Sequence, residues 1–124
     1  MSKPLERVVI LGASDKPDRY AYRALAMLRE HGHEPVPVHP ALPVVEGIPV
    51  TKDLGSVEGA VDTLTLYVNP TISEEMADAI IALNPGRVIF NPGTESVILQ
   101  GQLSEAGIPF EEACTLVLLS TGQF

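Results

Sequence analysis

Arg7-Val8-Val9-Ile10-Leu11-Gly12-Ala13-Ser14 decides how the chain folds. Five residues, four of them apolar, run without alternation into a glycine, which is the pattern of a strand buried on both faces. Gly12-Ala13-Ser14 then forms a short turn, and the segment after it changes period. From Tyr20 to His31, Ala21, Ala24, Leu25 and Leu28 fall on one helical stripe. Gly32 supplies the helix stop.

The same alternation continues outward. Pro35 to His39 reads as a second short strand ended by Pro40. Residues 40 to 56 hold three prolines and two glycines and read mostly as loop, with a short extended piece near Ile48 to Thr51. Val61 to Val68 is the third main strand, closed by Asn69-Pro70. Thr71 and Glu74 have the spacing of a capping box, which predicts a helix with Thr71 as N-cap and a face of Met76, Ala79, Ile80 and Leu83. Pro85-Gly86 stops it. Arg87 to Phe90 is a fourth strand, Ser96 to Ala106 a helix stopped by Gly107, and Ile108 to Glu111 a fifth strand. Cys114 to Ser120 is apolar throughout and reads as a terminal helix rather than a last strand. Strand and helix in alternation give right-handed βαβ units. The expected fold is α/β, a Rossmann-like three-layer sandwich with a five-stranded, mostly parallel sheet, in one domain over 1–124.

Composition narrows the function classes. The chain has 124 residues, of which 45% are hydrophobic, so one proper core is attainable. No apolar run is long enough to span a membrane, and the first residues lack the apolar stretch of a secretory signal. The net charge of −8 argues against nucleic acid as a partner. Positive charge is nevertheless gathered locally, since Lys16, Arg19 and Arg23 are three of only eight Lys and Arg residues. Cys114 is the single cysteine, which excludes an internal disulfide and fits a cytoplasmic location. His31, His33 and His39 form no zinc spacing with it.

In an open parallel sheet, ligands bind beyond the carboxyl ends of the strands where strand order reverses. Four loops qualify: Gly12-Ala13-Ser14, His39-Pro40, Asn69-Pro70 and Asn91-Pro92-Gly93-Thr94. None places a histidine or a carboxylate beside an obvious nucleophile. The first suits a pyrophosphate: glycine permits close backbone approach, Ser14 offers a hydroxyl, the helix start offers N–H groups, and Arg19 and Lys16 offer charge. A common tight turn with solvated cations beside it carries the same residues. The dinucleotide fingerprint is absent. Ser14 and Pro17 stand where further glycines belong, and His39-Pro40 where an acidic residue would hold the ribose.

Taken together, Val9-Ile10-Leu11-Gly12-Ala13-Ser14, Arg19-Tyr20, Val36-Pro37-Val38-His39-Pro40, Tyr67-Val68-Asn69-Pro70 and Val88-Ile89-Phe90-Asn91-Pro92-Gly93-Thr94-Glu95 resemble the CoA-binding domain family. That family includes the N-terminal domain of the succinyl-CoA synthetase alpha subunit. The resemblance implies a ligand, coenzyme A or an acyl-CoA. It assigns the phosphates to Gly12, Ala13, Ser14 and Arg19, with Lys16 beside them. His39 and Pro40 would flank the adenosine, Val68, Asn69 and Pro70 would line the ligand, and Asn91, Pro92 and Gly93 would face the pantetheine arm. The synthetase's catalytic histidine lies in a second domain without counterpart in this sequence, so the expectation is a binding module and not an enzyme. The rivals are an NAD(P)-dependent oxidoreductase, an acyl-CoA enzyme subunit completed by another chain, and an interaction protein with a vestigial site. Leu116 to Leu119 and Phe124 fit either core packing or a homodimer contact. Tyr20 and Tyr22 either cover the ligand or pack the first helix, with packing expected for at least one.

Overall fold

The computed structural model describes residues 4–124. Its elements are β1 (Arg7–Leu11), α1 (Tyr20–Glu30), β2 (Glu34–Val38), β3 (Val44–Val45), β4 (Ile48–Pro49), a 3-10 turn (Leu54–Ser56), β5 (Thr63–Leu66), α2 (Pro70–Glu75), α3 (Ala77–Leu83), β6 (Arg87–Phe90), α4 (Val97–Glu105), β7 (Phe110–Glu112) and α5 (Thr115–Ser120). Five strands form one sheet in the order β2-β1-β5-β6-β7, and every neighbouring pair is parallel. The fold is therefore the expected α/β Rossmann-like sandwich, with a sheet that is parallel throughout.

Alternation along the strands divides the core. Val9, Leu11, Leu64, Leu66, Val88 and Phe90 face α3, α4 and the 3-10 turn, meeting Ile80, Leu99, Leu103 and Leu54. Val8 and Ile10 face the other way and pack with Leu25 and Leu28 of α1 and Leu119 of α5. Both faces are covered, which is why β1 reads as an unbroken apolar run. Leu119 thus belongs to the core, and Val117 stands exposed.

Several boundaries differ from the sequence reading, most for a local reason. Thr71 is not the N-cap. Asn69 takes that role, its side chain accepting from the Ile72 N–H at 3.0 Å, with Pro70 at the first helical position. Asparagine caps at least as well as threonine, and proline there sacrifices an N–H that has no helical partner. Glu74 instead accepts a hydrogen bond from the Ser96 hydroxyl at 2.7 Å, tying α2 to the start of α4. The helix expected across 71–84 is two helices, broken at Met76. The last strand begins at Phe110 and ends at Glu112, two residues and one residue later than expected, although the Pro109 carbonyl just before it already accepts from the Val88 N–H at 2.9 Å.

Residues 40 to 56 hold more order than a loop. β3 and β4 form an antiparallel hairpin through Glu46 and Gly47, both at positive φ (50° and 77°). That geometry usually calls for Asn-Gly. Here the Tyr22 hydroxyl donates to the Glu46 carboxylate, and Arg29 donates to the Glu46 carbonyl at 2.9 Å, so α1 holds the turn. Thr51 then rejoins the edge of β2 opposite Val38.

Candidate functional site

Strand order reverses at β1: the chain leaves it for β2 on one side, then crosses to β5 on the other. The carboxyl ends of β1 and β5 therefore diverge into a crevice. An open cleft of about 550 Å³ lies there, lined by Gly12 through Lys16, Arg19, Tyr20, Ala21, His39, Leu42, Tyr67, Asn69 and Pro92 through Thr94. Of the residues singled out from sequence, the structure brings Gly12, Ala13, Ser14, Lys16, Arg19, His39, Asn69, Pro92 and Gly93 to this one cleft.

Four are not on its wall. Pro40 is exposed beyond the rim, Val68 packs against the core beneath α2, and Pro70 is built into the first turn of that helix. Asn91 requires the largest correction. It is buried, its Nδ2 donates to Thr65 Oγ1 at 2.7 Å and to the Leu66 carbonyl at 2.8 Å, and its Oδ1 accepts from the Thr115 N–H at 2.9 Å. The side chain joins β5, β6 and α5 from inside. Buried amides satisfy their polar atoms before anything else, and this one does so within the protein.

The Gly12-Ala13-Ser14 turn differs in detail from what the sequence suggests. The Gly12 and Ala13 N–H groups both donate to the Val38 carbonyl at 3.2 Å, so neither is offered to a ligand. Gly12 is required by packing. At φ +90° a Cβ would lie 2.9 Å from the Tyr67 carbonyl oxygen and from Val68 Cγ1. What remains free lies further along. Among the described residues, the Ser14 and Asp15 N–H groups have no partner, while Ser14 Oγ accepts from the Lys16 N–H at 3.1 Å. That contact leaves the Ser14 hydroxyl hydrogen to donate.

α1 begins at Tyr20 with no side-chain cap and no acidic residue in its first turn. Its N-terminus thus presents uncompensated N–H groups and the positive end of the helix dipole. Lys16 and Arg19 are exposed beside it, and among the described residues neither forms an ion pair. The carboxylates that are paired serve Arg7 and Arg87 at the opposite end of the sheet.

Tyr20 and Tyr67 also line the cleft. Tyr20 is exposed on the rim with the Arg23 guanidinium 5.7 Å from its ring centre, whereas Tyr22 packs against the core. Tyr67 forms part of the wall, and burial pushes its phenol up to about 12, so it stays protonated. No periodicity distinguishes Tyr20 or Tyr67, because one opens a helix and the other follows a strand. Their position beside the Gly12 turn was the available signal. On the far side, Gly93 at φ +90° faces open space and its N–H is held by Glu95 at 3.0 Å.

A family model described as a CoA binding domain matches residues 6–120. A crystal structure of an uncharacterized protein superposes with a TM-score of 0.92 at 44% identity, covering 98% of this chain and all of that one (100%). A Thermus thermophilus protein superposes with a TM-score of 0.89 at 27% identity, over 97% of this chain and 91% of that chain. In sequence, the chain is 25% identical over 77 residues to the uncharacterized protein YneT of Bacillus subtilis (strain 168), covering 59% of this chain and 57% of that protein. The match thus spans little more than half the length of that relative. With the family model running from the start of β1 to the last residue of α5, this chain belongs to the CoA-binding domain family.

Proposed function

We propose that the chain is a non-catalytic module that binds coenzyme A or an acyl-CoA in the cleft above β1, β5 and β6. One observation carries the reading. In a chain of net charge −8, two cations without ion-pair partners among the described residues, Lys16 and Arg19, flank an uncapped helix start at the point where strand order reverses. A diphosphate is the group that this combination suits, with Arg19 able to grip two oxygens at once. The Ser14 hydroxyl and the Ser14 and Asp15 N–H groups supply further donors. His39 and Leu42 bound the side toward β2, where the nucleoside of a Rossmann ligand lies. Asn69 and Pro92 through Thr94 bound the other side, toward which the pantetheine would run.

The chemistry of the lining supports binding without bond-breaking. The Ser14 oxygen is engaged by its own turn, and His39 Nδ1 is taken by backbone N–H groups of its own loop. A nucleophile with a base poised beside it is the usual mark of covalent catalysis, and the cleft lining contains no such pair.

Calorimetric titration of CoA into wild-type protein and into a Ser14→Ala, Arg19→Ala double variant tests the assignment. Binding that drops by more than about tenfold, equivalent to 1.4 kcal/mol, is the expected result. Unchanged affinity would remove the site, and binding of NADP in preference to CoA would remove the ligand.

A further inference from the structure

We infer that the cleft takes an acyl-CoA with a medium-length aliphatic acyl chain, and that this chain lies along the first turn of α4, over Val97 and Ile98. This rests on the CoA reading above and extends it from the coenzyme to the group that the coenzyme carries.

The loop between β6 and α4 fixes where that turn stands. The Asn91 carbonyl accepts from the Thr94 N–H at 3.0 Å and from the Thr94 hydroxyl at 2.8 Å, which closes a tight turn. Ser96 caps α4 by accepting from the Leu99 N–H at 3.0 Å, and its hydroxyl donates to Glu74 at 2.7 Å. Pro92, Gly93 and Thr94 are cleft wall. The space beside Gly93 is open, since even a Cβ there would meet nothing within 4 Å. Four residues of extended chain span at most about 14 Å, and the turn shortens that reach. The cleft wall therefore runs directly into the start of α4.

That start is apolar on its outer side. Leu99 and Leu103 are fully buried and supply the helix's core contacts, while Val97 is 85% and Ile98 62% exposed. Gly101 stands one helical turn further on, beside both, and a Cβ there would also meet nothing within 4 Å. The result is a shallow strip of bare backbone edged by two aliphatic side chains. Helix formation does not call for them, because residues branched at Cβ enter a helix less readily than glutamine or lysine. A single exposed aliphatic is ordinary, but two in succession beside an open cleft make a patch.

Charge decides what covers the patch. After Lys52 the sequence holds one Lys or Arg, Arg87, and it lies at the opposite end of the sheet, paired with Glu6 and Glu111. The helices on this side carry Glu74, Glu75, Asp78 and Glu105 instead. A free fatty acid or an anionic lipid surface would meet like charge with no counter-ion. In an acyl-CoA the phosphates remain with Lys16 and Arg19, and only the neutral thioester and the hydrocarbon reach α4.

Calorimetric titration with CoA and with acetyl-, butyryl-, hexanoyl- and octanoyl-CoA tests this in wild type and in a Val97→Gln, Ile98→Gln double variant. Val117→Gln, at an exposed valine of α5 on the other face of the sheet, is the control. A fully buried methylene strengthens binding about fourfold, and one lying on an open face contributes less. Wild type and the control should therefore bind octanoyl-CoA at least about tenfold more tightly than acetyl-CoA. In the double variant, CoA and acetyl-CoA should bind within about twofold of wild type, and the gain from acetyl to octanoyl should shrink below about threefold. Wild-type affinity that ignores chain length, or a gain that survives in the double variant, would overturn the inference. So would sedimentation showing a wild-type dimer that the double variant dissolves, because the patch would then be covered by a second copy. Failure of wild type to bind CoA would instead overturn the reading beneath it.

Discussion

Replacing Asn91 by alanine separates a structural amide from a ligand contact. The side chain makes three hydrogen bonds of 2.7 to 2.9 Å inside the protein. Two of the groups it leaves behind retain other opportunities. Thr65 Oγ1 keeps its 2.8 Å contact with Thr115 Oγ1, and the Leu66 carbonyl has a second lone pair. The Thr115 N–H does not. It opens α5, the residue is fully buried, and water cannot replace the lost acceptor. An orphaned buried donor costs about 1–3 kcal/mol, and each of the other two hydrogen bonds lost adds about 1 kcal/mol, so the substitution should destabilise the fold by about 3–5 kcal/mol. For a chain of this size that corresponds to a fall in Tm of about 10–20 °C. Urea denaturation should show a lower midpoint with an unchanged slope. CoA affinity of the fraction that remains folded, measured at low temperature, should stay within about threefold of wild type, a change of less than 1 kcal/mol. A loss of stability below about 1 kcal/mol, within the range of ordinary surface changes, would refute the internal role. So would a well-folded variant with CoA binding abolished.

Other perturbations probe separate parts of the structure. Gly12→Ala forces a Cβ to within 2.9 Å of the Tyr67 carbonyl oxygen at φ +90° and should destabilise by about 2–4 kcal/mol, read by thermal melting. A change under 1 kcal/mol would mean that β1 and β5 separate more easily than their packing indicates. Arg19→Ala should weaken CoA binding by about 10- to 150-fold, the equivalent of one charge-assisted hydrogen bond of 1.5–3 kcal/mol, without altering Tm of the free protein. His33 should make stability sensitive to acid. Burial lowers its pKa below the ordinary 6.5, against the opposing pull of Glu6, with His31 and Arg87 lowering it further. The unfolded chain then binds the proton more readily, so this contribution is complete above about pH 6.5 and is lost as pH falls through the folded value. His33→Asn keeps an acceptor for the Glu6 N–H, which His33 Nδ1 receives at 2.9 Å, and removes the titration. Its Tm should fall less than that of wild type between pH 7 and pH 5, both values bracketing the window about the unperturbed pKa. Parallel curves would exclude His33 as the source.

Burial pattern made the sheet legible. β1 and β6 are covered on both faces, so their apolar runs are continuous and end at glycine or asparagine, while β5 alternates as Thr63-Leu64-Thr65-Leu66 with all four residues buried. The short hairpin was not legible, because Glu46 holds a left-handed turn conformation only with the help of Tyr22 and Arg29, residues distant in sequence. Asn69 is hard to recognise as a cap from sequence because Thr71 and Glu74 carry the spacing of a capping box two residues later and Asn69-Pro70 equally suits the end of a strand. At the site, the strand-order rule leads to a cleft whose wall holds nine of the thirteen candidate residues, Lys16 and Arg19 among them through local charge. It failed at Asn91, where an amide after a strand serves the interior, and at Gly12 and Ala13, whose N–H groups close onto Val38. Sequence reveals which residues reach the carboxyl ends of strands. Whether their polar atoms are already engaged depends on partners 24 to 26 residues away, as with Asn91 and Thr115 or Gly12 and Val38.

A backbone amide NMR titration with CoA addresses the site itself. Shifts concentrated at Ser14 through Tyr20, at His39 through Leu42 and at Gly93 and Thr94, saturating at one ligand per chain, are the expected outcome. Perturbations that instead gather at the opposite end of the sheet around Glu6, Asp62 and Arg87, or a spectrum that CoA leaves untouched, would contradict it.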